Sequence, residues 1–144
     1  GYDTLSGISP ARGFVFCQRD SAADANESSI VCFIQYGQKS FLFTGDMGPQ
    51  LEDTLYARGL LPKCTVLKVP HHGSHINNSV AVIKAISPEL AVIQVGQNNR
   101  FGHPSPEVVD GYKAAGAVIY RTDEQGAIEM ETDGNRLVVR TMVE

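Results

Sequence analysis

No two of the three cysteines, Cys17, Cys32 and Cys64, stand at the spacing of a metal knuckle, and an odd count closes no disulfide framework. Cys17 and Cys32 lie inside apolar runs and read as small hydrophobes, with a strand-to-strand bridge between them as the alternative. Basic excess is lacking too. At a net charge of −4 no global field draws nucleic acid, so a role on DNA or RNA needs a local patch, a bound cation or another domain. No apolar stretch reaches membrane-spanning length and no signal-like segment is present, so the chain reads as a soluble domain. Hydrophobic residues make up 42% of it and charged residues 19%, which excludes a disordered chain. No repeat, low-complexity tract or linker divides the sequence. Residues 1–144 therefore read as one domain with room for a full core.

What is present is an alternating pattern. The opening residues to Arg12 show little periodicity, and Phe14 to Cys17 reads as a strand. Residues 20–28 form a polar loop. Ser29 to Tyr36 and Ser40 to Thr44 are strands joined by the Gly37-Gln38 turn, a hairpin signal. Leu51, Leu55, Leu60 and Leu61 recur near helical spacing, with Glu52 and Asp53 at the start and Pro62 as the stop. Strands follow at Cys64 to Val69, Leu90 to Val95 and Ala117 to Arg121. Helices lie between them, from Asn78 to Ile86 and from an N-cap at Ser105 to Gly116. A hairpin over Ala127 to Met142 turns at Asp133-Gly134-Asn135. Alternation in the middle with antiparallel pairs at both ends predicts an α/β fold, a mixed sheet with helices on one face plus a C-terminal hairpin.

Chemistry gathers where apolar strands break off. Val69-Pro70-His71-His72-Gly73-Ser74-His75 holds three of the four histidines, and the fourth stands in Gly102-His103-Pro104. Thr44-Gly45-Asp46 closes another strand. Ligands of α/β sheets bind at such strand ends, where the loops diverge from a rigid platform. A carboxylate and imidazoles are what a hard-to-borderline divalent cation takes, and a carboxylate can bridge two cations. Two ions about 3.5–4 Å apart would activate a water and clamp both oxygens of a phosphodiester displacement. Singly each signal has a structural reading: Asp46 as a turn cap, His71-His72 as solvated residues, His75 as an exposed neighbour, His103 as a partner of loop carbonyls.

Together, Asn26 to Asp46, Leu67 to Ser74, Gly102-His103-Pro104 and Tyr120-Arg121-Thr122-Asp123-Glu124-Gln125-Gly126 resemble the metallo-β-lactamase-fold domain of the ComEC competence-protein family. The resemblance runs over nearly the whole chain, and Lys-Val-Pro followed by His-His-Gly-Ser is its most specific part. It implies a four-layer αββα fold and a metal-dependent hydrolase, a phosphodiesterase or nuclease, in a DNA-uptake protein of natural transformation. Such a domain accompanies a membrane channel and degrades the strand that is not imported. The parent is expected to be a bacterial integral membrane protein with this domain on the extracytoplasmic side. The implied cofactor is a divalent metal, zinc or manganese, as two ions in the complete domain.

Carried over by position, Asp46 matches the bridging carboxylate and a catalytic residue. One histidine of the 71–72 pair matches the late metal ligand; His72 is taken as that ligand and His71 as a catalytic or phosphate-contacting neighbour, though their adjacency in sequence leaves the two open to exchange. Asn98, His103 and Thr122 match positions that orient substrate. The family's early motif, His-x-His-x-Asp-His or His-x-Asp-x-Asp-His, occurs nowhere in residues 1–144. The resemblance is thus to the second half of the fold, which by itself is expected to lack activity.

Two other readings follow from that departure. One is a degenerate, non-catalytic module docked on a membrane DNA channel; the other is a free-standing phosphodiesterase of the same fold. A half-fold also leaves Ile30, Cys32 and Ile34 without a partner sheet, which predicts homodimerisation through that face.

Overall fold

The computed structural model describes residues 2–5, 10–17 and 24–143. Seven strands form one sheet in sequential order: β1 (Tyr2–Leu5), β2 (Arg12–Cys17), β3 (Ile30–Tyr36), β4 (Lys39–Phe43), β5 (Val66–Lys68), β6 (Leu90–Ile93) and β7 (Val118–Arg121). β1 to β4 pair antiparallel, and β4 to β7 pair parallel. The change of sense follows from the connections. A two-residue turn can only reverse the chain, whereas each parallel pair is bridged by a helix: α1 (Pro49–Ala57), α2 (Val80–Ile86) or α3 (Pro106–Ala114). After a single turn of helix, α4 (Thr122–Gln125), the strands β8 (Ile128–Thr132) and β9 (Leu137–Thr141) form a separate hairpin.

All three crossover helices pack on one face. Leu51 and Leu55 of α1, Val82, Ile83 and Ile86 of α2, and Val108 and Tyr112 of α3 share a core with Val31, Leu42, Leu67, Ala91 and Ile93 of the sheet. These strand residues alternate with Cys32, Phe41, Phe43 and Val92, which point the other way, as the period of two requires. The opposite face is less covered: Ile30 is 59% exposed and Phe43 45%. Ala127, Ile128 and Met130 near the terminal hairpin line, with Phe41, Phe43, Val66 and Val92, a half-open cavity of about 480 Å³ that reaches Lys68, Gln94 and Thr122. The two hairpin turns touch, with Gln38 donating its N–H to the Gly134 carbonyl at 2.6 Å. A Cβ on Gly37 would come within 2.6 Å of that carbonyl, so this contact requires a glycine.

The expected mixed sheet with helices on one face is what the chain adopts, and four details differ. Tyr2–Leu5 is a strand although its local pattern is weak, because pairing with β2 (Tyr2 opposite Phe16) supplies the order. α1 ends at Ala57, five residues before Pro62. Gly59 takes φ +64° there, and the N–H of Leu60 returns to the Leu55 carbonyl at 2.9 Å, closing the helix from within. Thr122–Gln125 is helical, a turn too short for periodicity to reveal. Ser105 occupies the N-cap of α3, but its hydroxyl donates to Glu107 Oε2 at 2.8 Å and accepts no helix N–H.

The polar loop read over 20–28 is described from residue 24 onward, where Ala25–Ser28 forms a 3₁₀ turn. The reading of Cys17 as a packed thiol lies outside the described side chains. Cys32 is a free thiol opposite Val15, so it forms no strand-to-strand bridge. Cys64 is buried and its thiol is pushed up to about 12 by burial, then by nearby Glu89, which keeps it unreactive.

Candidate functional site

The ends of β4, β5 and β6 are tied together by side chains where their ladders stop. The buried Thr44 hydroxyl donates to the Lys68 carbonyl at 2.7 Å, locking the last residue of β5 to the segment that carries Asp46. The Gly45 carbonyl accepts from the His71 N–H at 3.3 Å and from Lys68 Nζ at 2.5 Å. Asp46 and the histidine loop are thus anchored to one backbone oxygen. Gly45 itself takes φ +55°, which directs the chain from strand to site.

His71 and His72 both hold left-handed backbone, φ 47° and 54°, uncommon for residues with a Cβ. The buried Asn78 maintains it. Its Nδ2 donates to the carbonyls of Pro70 (3.4 Å) and Ser74 (3.1 Å), the residues on either side of His71-His72-Gly73. Its Oδ1 accepts from the Tyr112 hydroxyl at 2.8 Å, and its N–H donates to Glu52 Oε2 at 2.8 Å. Glu52 also accepts from the Ser79 N–H at 3.1 Å, at the N-terminus of α2. Burial raises the Glu52 carboxyl above its ordinary value, against the lowering by these two N–H donors. Burial, then Glu52, holds Tyr112 well above its usual value, so the phenol stays a donor. Gly73 completes the clamp. Its carbonyl accepts from the Ser105 N–H at 2.9 Å, and a Cβ there would meet Pro104 at 2.7 Å, so the His103 loop rests directly on it.

Within this frame the two adjacent histidines face different partners. His72 Nδ1 is 2.6 Å from the Gln94 carbonyl, which only accepts, so Nδ1 carries a proton and Nε2 is the nitrogen left to face Asp46. Nε2 lies 3.5 Å from Asp46 Oδ1. A carbonyl that holds one ring nitrogen and so aims the other is the arrangement seen around metal-binding histidines. Asn77 Nδ2 donates to the Met47 carbonyl at 2.6 Å, which turns its Oδ1 toward His71 Nδ1 at 3.2 Å. His71 Nε2 makes no hydrogen bond among the described residues, and its ring stands 5.8 Å from that of His103. The His103 imidazole is lowered from its ordinary value, first by burial and then by His71, His72 and His75, so it favours the neutral form.

Lys68 is the near cation. Its Nζ is 3.4 Å from Asp46 Oδ1, and burial lowers its pKa against the raising by that carboxylate. A carboxylate oxygen and an imidazole nitrogen fit one side of a divalent metal site. Among the described residues no group of three or more His, Cys, Asp or Glu side chains converges on a metal position.

Of the residues expected at the site, Asp46, His71, His72 and His103 are brought together. Thr122 has both hydrogen-bonding functions of its hydroxyl engaged by Val95, accepting from its N–H and donating to its carbonyl at 2.8 Å each. It fastens the end of β6 to α4 beside the cavity. Asn98 is exposed with φ 55° and makes no side-chain hydrogen bond among the described residues. Lys68, Gln94, Asn77, Asn78 and Glu52 were not anticipated as site residues. Lys68 had a signal, a single charge inside a β-branched strand. Asn77-Asn78, before the helix-capping Ser79, had another, since asparagine tolerates left-handed backbone. Gln94 had none, because it acts through its backbone carbonyl.

Residues 22–97 match the Metallo-beta-lactamase superfamily, and the chain belongs to it. Within that superfamily its similarity is to competence proteins of the ComEC type, as the residue motifs implied. It is 34% identical to ComE operon protein 3 of Bacillus subtilis over 107 residues, 74% of this chain and 14% of that protein. It is 35% identical to Competence protein ComA of Neisseria gonorrhoeae over 109 residues, 74% of this chain and 16% of that one. Recombination protein 2 of Haemophilus influenzae is 29% identical over 115 residues, 80% of this chain and 14% of its own length. The chain spans 14–16% of the length of these relatives.

Proposed function

We propose that this chain is the later half of a metal-dependent phosphodiesterase domain in a DNA-uptake protein, acting as a nuclease on the strand that is not imported. The observation that carries the reading is His72, with Nδ1 held by Gln94 and Nε2 turned to Asp46 at 3.5 Å. Asp46 and His72 would hold a zinc or manganese ion together with donors beyond the described residues, two ions serving the complete domain. A bound ion of this kind lowers the pKa of a water and polarises phosphoryl oxygens. His71 Nε2, beside that position, is suited to contact a phosphate oxygen or to carry a proton. Neutral His103 and the exposed Asn98 offer further contacts to substrate, and Thr122 keeps the cavity wall in place. Calorimetric titration with zinc or manganese tests the ligand assignment. His72→Ala is expected to abolish measurable binding, and His71→Ala to weaken it by no more than about tenfold. The reverse order of effects would overturn it.

A second reading, a non-catalytic module, is favoured by one observation: Lys68 already supplies positive charge to Asp46. Absence of metal binding in the complete protein, with DNA uptake intact after Asp46→Ala, would support it.

The parent protein is proposed to be a bacterial integral membrane protein with this domain outside the cytoplasm, beside its own channel domain and in contact with DNA. Among the described residues no helix is long and apolar enough to cross a membrane. The face carrying Ile30, Cys32, Ile34 and Phe43 is proposed to join two copies when this chain stands alone. Sedimentation should then show a concentration-dependent dimer, reduced by Ile30→Lys. A monomer at every concentration would exclude it.

A further inference from the structure

The loop from Gly96 to Pro104 carries the most exposed aromatic ring among the described residues. Phe101 is 68% exposed, yet its position is built. Asn99 braces the loop: Oδ1 accepts from the N–H groups of Phe101 (3.2 Å) and His103 (3.0 Å), and Nδ2 donates to the carbonyls of Gly96 (3.2 Å) and His103 (2.6 Å). The Phe101 ring lies nearly parallel to His103, 17° between planes and 6.0 Å between centroids. The Arg100 guanidinium stands 5.0 Å from the Phe101 centroid. A row of rings therefore runs His72, His71, His103, Phe101, with successive centroids 6.4, 5.8 and 6.0 Å apart. It begins at Asp46 and ends in solvent.

A single exposed ring is ordinary on a protein surface, but Phe101 sits on a loop braced by four hydrogen bonds to Asn99 and lies between an imidazole and a guanidinium, so its face is held ready to be covered. Hydrophobic docking of a protein or a lipid surface calls for a contiguous apolar patch, and Phe101 is flanked by Gln97, Asn98, Asn99 and Arg100, whose burial in lipid would cost several kcal/mol per unpaired group. A planar, polar-edged partner is different. It covers the ring while its edges stay wet, and the adjacent guanidinium can move onto its phosphate.

We infer that Phe101 and Arg100 form a nucleobase-stacking platform, which takes a base of a single-stranded DNA whose backbone runs along the row to a phosphate at the Asp46–His72 end. The inference rests on the phosphodiesterase reading for its choice of DNA, and it assigns the specificity for a polynucleotide over a small phosphodiester to this loop. It also supplies a local cation in an acidic chain, the Arg100 guanidinium beside the Phe101 ring.

The test is fluorescence anisotropy of the chain with a labelled oligothymidylate and with an abasic strand of equal length, in EDTA at low salt, where no hydrolysis occurs. Phe101→Ala is expected to weaken oligothymidylate binding by about ten- to a hundredfold, and Phe101→Trp to preserve it. The abasic strand should bind the unaltered chain as weakly as oligothymidylate binds the Phe101→Ala variant, and should lose nothing further to that substitution. Thermal midpoints within a degree or so of one another would show that Phe101→Ala leaves the fold intact. Equal loss on both strands, no loss on either, or no binding of oligothymidylate by the unaltered chain would each overturn the platform. So would loss of binding to phosphatidylglycerol vesicles with DNA binding unchanged, which would make the loop a membrane contact. Failure of the hydrolase reading registers separately, as absence of cleavage by the complete metal-loaded protein while these binding ratios hold.

Discussion

Replacing Asp46 by alanine in the complete protein is expected to lower DNA hydrolysis by about a thousandfold or more, with little change in stability. Two facts separate the effects. The carboxylate is the only acidic side chain among the described residues within reach of both His72 Nε2 and Lys68 Nζ, at 3.5 and 3.4 Å. Its side chain is also 44% exposed, and ion pairs at such exposure contribute at most about 1 kcal/mol. Lys68 keeps its bond to the Gly45 carbonyl in the variant, so the strand end retains its anchor. Cleavage assays on single-stranded DNA beside a urea titration would check both halves. Full nuclease activity in the variant would remove Asp46 from the chemistry, and unfolding at ordinary temperature would mean that the carboxylate is structural.

Asn78→Ala should be the most damaging single change to the frame, at about 3 kcal/mol or more. One side chain satisfies the carbonyls of Pro70 and Ser74 and the hydroxyl of Tyr112, which is fully buried. Alanine would leave a buried phenol without an acceptor, a penalty of about 1–3 kcal/mol, and would add the strain of φ 65° at a residue less tolerant of it. Tyr112→Phe removes the hydroxyl as well and should cost only about 1–2 kcal/mol, because Asn78 keeps its other three bonds. In a double variant the penalties should be less than additive, since both substitutions break the same hydrogen bond. Denaturant titrations of the three variants measure this, and a loss below about 1 kcal/mol for Asn78→Ala would show that the loop holds itself. Metal affinity should fall with stability, because the left-handed turn that aims His72 depends on the same bracket.

Much of this molecule was legible in its residues. Strands β2 to β7 lie within a few residues of where alternation and punctuation placed them, because Pro70, Pro88 and Gly116 stop elements locally. The helix after Asp46 was drawn too long. Pro62 predicts the stop, but α1 ends five residues earlier at Ala57, where Gly59 turns the chain back on itself through backbone hydrogen bonds that periodicity does not register. The strand at Tyr2–Leu5 was missed for a related reason: its order comes from a partner strand, not from its own pattern. Asp46, His71, His72 and His103 are expected together from residue type at strand ends, and the fold does bring them together. Lys68, Asn77 and Asn78 were passed over because their roles appear only when distant carbonyls are in view.

The order of the elements, the mixed sheet and the kinds of donor at its ends followed from the sequence by itself, since propensity, periodicity and turn chemistry act over a few residues. Tertiary structure alone decided which imidazole faces Asp46. The two histidines are neighbours with the same side chain, and only partners elsewhere in the chain tell them apart: the Gln94 carbonyl, 22 residues from His72, and the Asn77 amide turned by Met47. The same holds for the clamp beneath them, where Asn78 meets Tyr112 across 34 residues of chain. Hydrogen-bond direction is a property of two groups brought together, and folding is what brings them together.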